Sequence, residues 1–391
     1  MGKRNKVGPP VSGKDFFERP KEINKIMRAL RSDHHILISS PRRVGKTSIL
    51  FRLADMGEEN YYFLYVITQS INSENDFYKR LYWAVVDCDS LSSNTLRLTH
   101  KAKSFLKNTI AKVKSIKGID LAPGKEQNFK DLFIKVLKSV SLEGSKIIIM
   151  IDEFTQTIEN IIRKEGDDQA VELLQSIREI RHDDEIRNNV LFILTGSVGL
   201  ENIAARLNSV DLIGDLNSIK VSPLKEKEAS ELIKELLEGS VYALKKEHIS
   251  YILKKIEWFI PFYIQLFVQE IQNVCDDRPA QKITKSALDT AFRQMLDHRN
   301  HFEHWQTRLK KTFKKEEYRF AEEALNSIAK NKAVSSNDLL NIAVKRQLED
   351  DYKKIIRVLI HDGYINNNDD PEVYRFNSPI LRTWWFNNVT H

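Results

Sequence analysis

The sequence predicts an α/β fold built on a parallel sheet, followed by an all-helical segment and a small mixed α and β module. Three observations carry this prediction. Short apolar, β-branched runs recur at 35–40, 61–67, 146–152 and 190–196, separated by longer stretches with helical spacing, the pattern of strands joined by crossover helices. From about 223 to 298 the apolar spacing is helical throughout. Beyond Asp297-His298-Arg299-Asn300, three amphipathic stretches lead into a strand, a polar turn and a second strand.

The 391 residues suggest two or three domains, at roughly 150 residues each. The expected boundaries are a core over 1–222, a helical lid over 223–300 and a C-terminal module over 301–391. With 41% hydrophobic and 29% charged residues, the chain has the apolar mass for a real core. No apolar run approaches the roughly 18 residues of a membrane span, and the opening MGKRNKVGPP lacks the apolar stretch of a signal peptide. Cys88 and Cys275 stand far apart and outside any metal spacing, which excludes disulfide and zinc frameworks. The expectation is a cytoplasmic protein with no membrane partner. The net charge is +7, and residues 1–55 hold 13 Lys/Arg against 5 Asp/Glu, so the surplus sits at one end. A basic chain invites nucleic acid as a partner, and the motifs at that end decide whether it is needed.

The first apolar run, HILISS (35–40), reads as a buried strand. It enters Ser40-Pro41-Arg42-Arg43-Val44-Gly45-Lys46-Thr47-Ser48 and then an apolar-periodic helix, ILFRLAD. A loop between strand and helix curls its N–H groups around phosphates, and the helix points its positive end at the same place. Lys46 is expected to reach the β- and γ-phosphates and Thr47 to hold Mg²⁺. Gly45 is required because the backbone must approach the phosphates closely. Where a phosphate loop ordinarily begins with glycine, this chain has Ser40. The local positive field of Arg19, Arg42, Arg43 and Lys46 accounts for much of the N-terminal surplus without nucleic acid.

YYFLYVI (61–67) reads as the second strand, 76–115 as helical, 116–130 as a Gly/Pro-containing loop and 129–141 as a helix on the sheet. The run Lys146–Ile151 then ends in Asp152 and Glu153. Open α/β sheets place ligands at such carboxyl ends. Asp152 is expected at Mg²⁺ through water and Glu153 as the group that positions and deprotonates an attacking water. The bland alternative is a core strand that merely terminates in two acids. The last of the four runs, Val190-Leu-Phe-Ile-Leu-Thr195-Gly196-Ser197, either senses the γ-phosphate through Ser197 or Thr195 or simply turns at its glycine. Upstream, Arg178 and Arg181 lie on a helical stretch, either as surface arginines or as an arginine finger for a neighbouring subunit.

Together these phrases resemble archaeal and bacterial P-loop ATPases of the STAND and AAA+ group. DFFERPKEINKI (15–26) is similar to their FxGRxxE entry segment, SPRRVGKTSIL to their GxRRxGKTSLL loop and ILTGSVGLE to their third-strand TGS phrase. IKVSPLKEKEASELI (219–233) resembles the opening of their helical lid, and WFIPFYIQLF (258–267) its GxP phrase. The resemblance covers roughly 14–275. It implies a RecA-like/AAA+-type core, ATP or ADP with Mg²⁺ as cofactors, and slow ATP hydrolysis. It also implies that Phe16 and Phe17 border the adenine, that Arg19 lies near the nucleotide's entry, and that Pro261 and Tyr263 close the base pocket. Glu18 and Phe259 stand where the family has glycines.

At the C-terminus, 316–332, 335–344 (opened by a Ser cap) and 347–363 (stopped by Gly363) read as three helices, and YINNNDDPEVYRF (364–376) as a hairpin. That order is a winged helix. The end of its third helix that would enter a groove carries Glu349, Asp350 and Asp351, and from 301 onward 15 basic residues face 13 acidic ones. The module is therefore either a protein-interaction and lid-packing element or a duplex-DNA reader using Arg346, Lys353, Lys354 and Arg357. The functional expectation is a nucleotide-dependent switch. The alternatives are an ATP-gated DNA-binding protein and an ATP-driven, homo-oligomerising signalling or defence scaffold with protein partners.

Overall fold

The computed structural model describes residues 2–57, 60–86, 96–97, 127–140, 144–196, 199–238, 240, 244–276, 283–368, 370 and 372–390. Its contacts divide the chain into two units, Pro10–Val221 and Met1–Pro9 with Ser222–His391.

The first unit is built on one sheet. Its strands are β1 (Ile36–Ser39), β2 (Tyr61–Ile67), β3 (Leu96–Arg97), β4 (Lys146–Asp152), β5 (Val190–Gly196) and β6 (Asn217–Ile219), in the spatial order β3-β2-β4-β5-β1-β6. All pairings are parallel except β2 with β3. β1 and β2 are consecutive in the chain's main crossover but lie apart in the sheet, with β5 and β4 between them. That rearrangement opens a crevice at the carboxyl ends, where the loop after β1 meets the ends of β4 and β5.

The two-residue period of each strand sorts the sheet into faces. Leu64, Val66, Ile147, Ile149, Ile151, Phe192 and Leu194 share one buried cluster with residues of four helices. These are α3 (Glu74–Val86), α4 (Phe129–Ser139), α5 (Phe154–Lys164) and α6 (Asp167–His182), joined by the short α7 (Asp184–Arg187) and α8 (Leu200–Arg206). Helix α1 (Pro20–Arg31) starts on a proline, whose missing N–H costs nothing there. Helix α2 (Lys46–Met56) follows the loop after β1, and its Phe51 meets Tyr65 of β2 edge to face at 4.9 Å.

The second unit contains α9 (Glu226–Leu237), α10 (Lys246–Ile256), α11 (Pro261–Asp276), α12 (Lys285–Asp297), α13 (Arg299–Thr312) and α14 (Lys315–Asn331). It ends with β7 (Val334–Ser335), α15 (Ser336–Lys345), α16 (Tyr352–His361), β8 (Ile365–Asn366), β9 (Val373–Phe376) and α17 (Pro379–Asn388). The three short strands pair antiparallel in the order β7-β9-β8. Ser335 caps α15 by accepting the Asp338 N–H at 3.1 Å. Trp305, Trp384, Trp385 and Tyr364 fill the core, where the Tyr364 hydroxyl donates to the Trp305 carbonyl at 2.7 Å. No helix among the described residues is long and apolar enough to cross a membrane.

Several expectations change. Of the helix read over 76–115, α3 accounts for the described stretch to Val86, and Leu96–Arg97 instead form the strand β3; the rest of that stretch to 115, and 116–126 of the expected loop, lie outside the described residues. The third C-terminal helix, read from 347, begins at Tyr352, because Gln347 takes a left-handed turn (φ 57°) and Leu348 bonds back to Ala343. Strands β6 and β7 were not legible in sequence. The N-terminal residues belong to the second unit, where the Lys3 N–H donates to the Glu235 carbonyl at 3.2 Å and the Asn5 amide to the Gln265 carbonyl at 2.9 Å.

Candidate active site

The loop from Ser40 to Gly45 turns through two left-handed residues, Arg43 (φ 68°) and Gly45 (φ 99°). A β-carbon at Gly45 would meet nothing within 4 Å, so the glycine serves the backbone conformation and the open space before α2. Gly45 caps α2, whose first N–H groups have no partner within the helix and carry its positive end. Lys46, only 7% exposed, folds over the loop and donates to the Ser40 carbonyl at 2.6 Å and the Pro41 carbonyl at 3.0 Å. Its ammonium thus lies inside the loop that a phosphate chain would enter.

Ser40, the departure from the glycine of the family pattern, has a structural use. Its hydroxyl donates to the Ser39 carbonyl and accepts the Val221 N–H at 2.7 Å, pinning the end of β1 to the segment after β6. Ser48 likewise accepts the Val11 N–H at 3.1 Å. Val44 is fully buried, and its carbonyl accepts from Arg19 at 3.5 Å. Arg19 also pairs with Glu22 at 2.8 Å. Burial pushes the Glu22 carboxyl up, but the Arg19 hydrogen bond and charge outweigh it and hold it below the usual carboxylate range. Arg19 therefore latches the entry segment to the loop. Beside it, Phe16 is buried and Phe17 half-buried, and Pro41, Arg42 and Arg43 are partly exposed along the loop.

The carboxylate strand delivers its charge to the same place. Asp152, 2% exposed at the end of β4, accepts the Thr47 hydroxyl at 2.8 Å and the Tyr65 hydroxyl at 3.0 Å on Oδ2. Its Oδ1 accepts the Thr195 hydroxyl in a short hydrogen bond and the Glu153 N–H at 3.2 Å. Thr68 donates its N–H and hydroxyl to the Asp152 carbonyl, and Thr157 in turn donates to Thr68. Glu153, half-buried, adopts a left-handed backbone (φ 57°, ψ 34°) as β4 turns into α5. For a residue with a β-carbon that conformation stores strain of about 1–3 kcal/mol, of the kind found at functional sites.

The structure thus brings Ser40, Pro41, Gly45, Lys46, Thr47, Asp152 and Glu153 into one crevice. Thr195 is committed to holding Asp152, and Ser197 lies outside the described residues. The arginine-finger reading of Arg181 is corrected: its side chain is buried and bound in two places to Asp215 at 2.7 Å, with a third bond to the Leu212 carbonyl. A guanidinium so enclosed is unavailable to a neighbouring subunit. Arg178 is half-buried on the same helix. Pro261 opens α11, and Tyr263, 1% exposed, stacks on Phe302 with ring centres 6.0 Å apart; that ring serves the core of its own unit. Sequence reasoning missed Tyr65 and Thr68, whose only signal was a position near the end of a buried strand beside the carboxylate strand.

Thr47 and Asp152 offer the hard oxygen donors that Mg²⁺ prefers, with the remaining positions left to phosphate and water. Among the described residues no group of three or more His, Cys, Asp or Glu side chains converges as a metal cage. A hydroxyl and one carboxylate at the mouth of a phosphate loop therefore fit a metal that arrives with its nucleotide.

A family model described as an ATPase domain predominantly from Archaea matches residues 16–257. Among solved structures, a Walker-type ATPase of Pyrococcus abyssi superposes with a TM-score of 0.67 at 18% identity, covering 97% of this chain and 99% of that one. The Aeropyrum pernix ORC2 protein, solved as ADPNP–ADP complexes, gives a TM-score of 0.54 at 10% identity, over 92% of this chain and 88% of that one. At these identities the likeness is one of fold. No match was found among curated protein sequences. With its phosphate loop, its carboxylate strand and a family model spanning more than half its length, the chain belongs to the predominantly archaeal ATPase-domain family and is a nucleotide-binding P-loop ATPase.

Proposed function

We propose that the chain is an Mg-ATP-dependent switch in which nucleotide occupancy of the core unit sets the state of the second unit. The observation that carries the reading is the Thr47–Asp152 hydrogen bond, which joins the phosphate loop to the carboxylate strand across 105 positions of sequence. Lys46 would leave the loop carbonyls for the β- and γ-phosphates, which are stronger acceptors because they carry full charge. Thr47 and Asp152 would hold Mg²⁺, which supplies charge neutralisation to the phosphates. Glu153 would orient the attacking water and take its proton, and Ser197 would read the γ-phosphate. Phe16 and Phe17 would border the base, with Arg19 stiffening the loop behind it. Calorimetry on Lys46→Ala tests the site: ATP binding should weaken by at least about a hundredfold, in keeping with loss of several charge-assisted bonds. Wild-type affinity in that variant would remove the assignment.

A second reading adds duplex DNA through the C-terminal module, whose helices and antiparallel strands support a winged helix. Lys353, Lys354 and Arg357 are exposed along α16, whereas Arg346 is tied to Glu323 at 2.6 Å and Glu349, Asp350 and Asp351 are exposed at the helix start. That balance makes protein interaction the better reading of this module. A salt titration decides it, since phosphate neutralisation predicts affinity falling steeply with salt, and absence of duplex binding at low salt removes the DNA reading.

A further inference from the structure

We infer that Tyr65 is a positioning residue for Asp152, holding that carboxylate in the orientation from which it meets the metal of the bound nucleotide; the inference rests on the reading of Thr47 and Asp152 as the metal-holding pair.

Asp152 is gripped from both neighbouring strands. Thr195 on β5 donates to Oδ1, and Tyr65 on β2 donates to Oδ2 at 3.0 Å. The pairing explains the fit: Ile67 lies opposite Asp152, so Tyr65, two residues back, shares the face of the sheet on which Asp152 emerges. Oδ2 is also the atom that receives the Thr47 hydroxyl at 2.8 Å. Two donors therefore converge on one oxygen, and only one of them, Thr47, is a metal-ligand candidate.

The ring of Tyr65 is fixed by the same helix. Phe51 meets it edge to face at 4.9 Å, and Phe51 stands four residues after Thr47, on the same face of α2. The phosphate-loop helix thus presents a ligand hydroxyl with one turn and clamps the tyrosine with the next. A phenol carries its proton at neutral pH and so stands here as a hydrogen-bond donor to Oδ2. When Thr47 turns its oxygen toward a metal, Tyr65 is the donor that stays on Oδ2 and keeps the carboxylate from rotating.

The test is the increment in ATP affinity that Mg²⁺ provides, measured by calorimetry with Mg²⁺ and with EDTA. Tyr65→Phe keeps the ring and removes the donor. Its Mg²⁺ increment should shrink by about tenfold or more, the scale of a lost hydrogen bond to a charged group, while ATP binding in EDTA stays within about twofold of wild type. The Mg²⁺ concentration for half-maximal turnover should rise, with kcat falling more than KM changes. An increment equal to wild type overturns the proposal, as does an equal loss with and without Mg²⁺, which would mark a merely structural ring. If Tyr65→Phe does not fold, Phe51→Leu keeps the hydroxyl and loosens the ring, and it must show the same selective loss; a wild-type increment there overturns the proposal. Failure of wild type to bind ATP at all would instead remove the underlying site.

Discussion

In the unit spanning Pro10–Val221, three hydroxyls from one helix and two strands, those of Tyr65 and Thr195 buried, converge on a single carboxylate, Asp152, at the carboxyl edge of the sheet. In the unit of residues 222–391, Arg308 bridges to Asp362 at 2.8 Å inside the core, and Tyr364 bonds the Trp305 carbonyl at 2.7 Å. The difference separates two uses of buried polarity. Several donors aimed at one acceptor fix its orientation, at the cost of desolvating it. A charge paired with its opposite inside a core is costly mainly when one partner is removed.

The comparison can be broken by the variant with the largest expected effect. Glu153→Gln should leave ATP binding intact and lower turnover by about a hundred- to ten-thousandfold, the range for a lost general base. Phosphate release measured alongside calorimetry checks both halves, and unimpaired turnover would return the strand end to a structural role. The converse belongs to the other unit. Arg308→Ala strands the Asp362 carboxylate, which is 1% exposed, and should cost about 3–5 kcal/mol of stability. Denaturant unfolding reads that loss, and ATP affinity of the folded fraction should remain within about twofold.

A smaller effect comes from His35, buried at the start of β1 and remote in role from Asp152. Its Nδ1 accepts the Phe192 N–H and its Nε2 donates to the Arg181 carbonyl, each at 3.1 Å, so the ring is neutral. Burial pushes its pKa down from 6.5 to about 4. Below pH 6.5 the unfolded chain therefore binds a proton that the folded chain refuses, and stability falls as pH drops from 6.5 toward 4. The whole contribution is about 3 kcal/mol. A series of unfolding curves for wild type and His35→Gln checks it: the variant should lack about one proton's worth of slope in that window.

The phosphate loop was fully legible in the sequence, because strand, loop and helix adjoin and their chemistry is local. The carboxylate strand was legible for the same reason: an apolar run ending in Asp152 and Glu153 needs no partner to be recognised. Arg181 was misjudged because helical spacing places a residue on a face without saying what covers it; Asp215 and the Leu212 carbonyl cover it here. Tyr65 carried no mark beyond its place in YYFLYVI, and Ser40 looked like a flaw until Val221 was seen bonded to it.

By itself the sequence determined the elements of the core, the loop that takes phosphate and the two acids at a strand's end, since hydrophobic period, glycine conformation and helix caps act over a few residues. Only the tertiary structure decided which hydroxyls surround Asp152. Thr47, Tyr65 and Thr195 lie 105, 87 and 43 positions from it in the chain. A hydrogen bond of about 3 Å between such residues depends on strand order, and placing β5 between β4 and β1 is a choice made by the packing of the whole sheet.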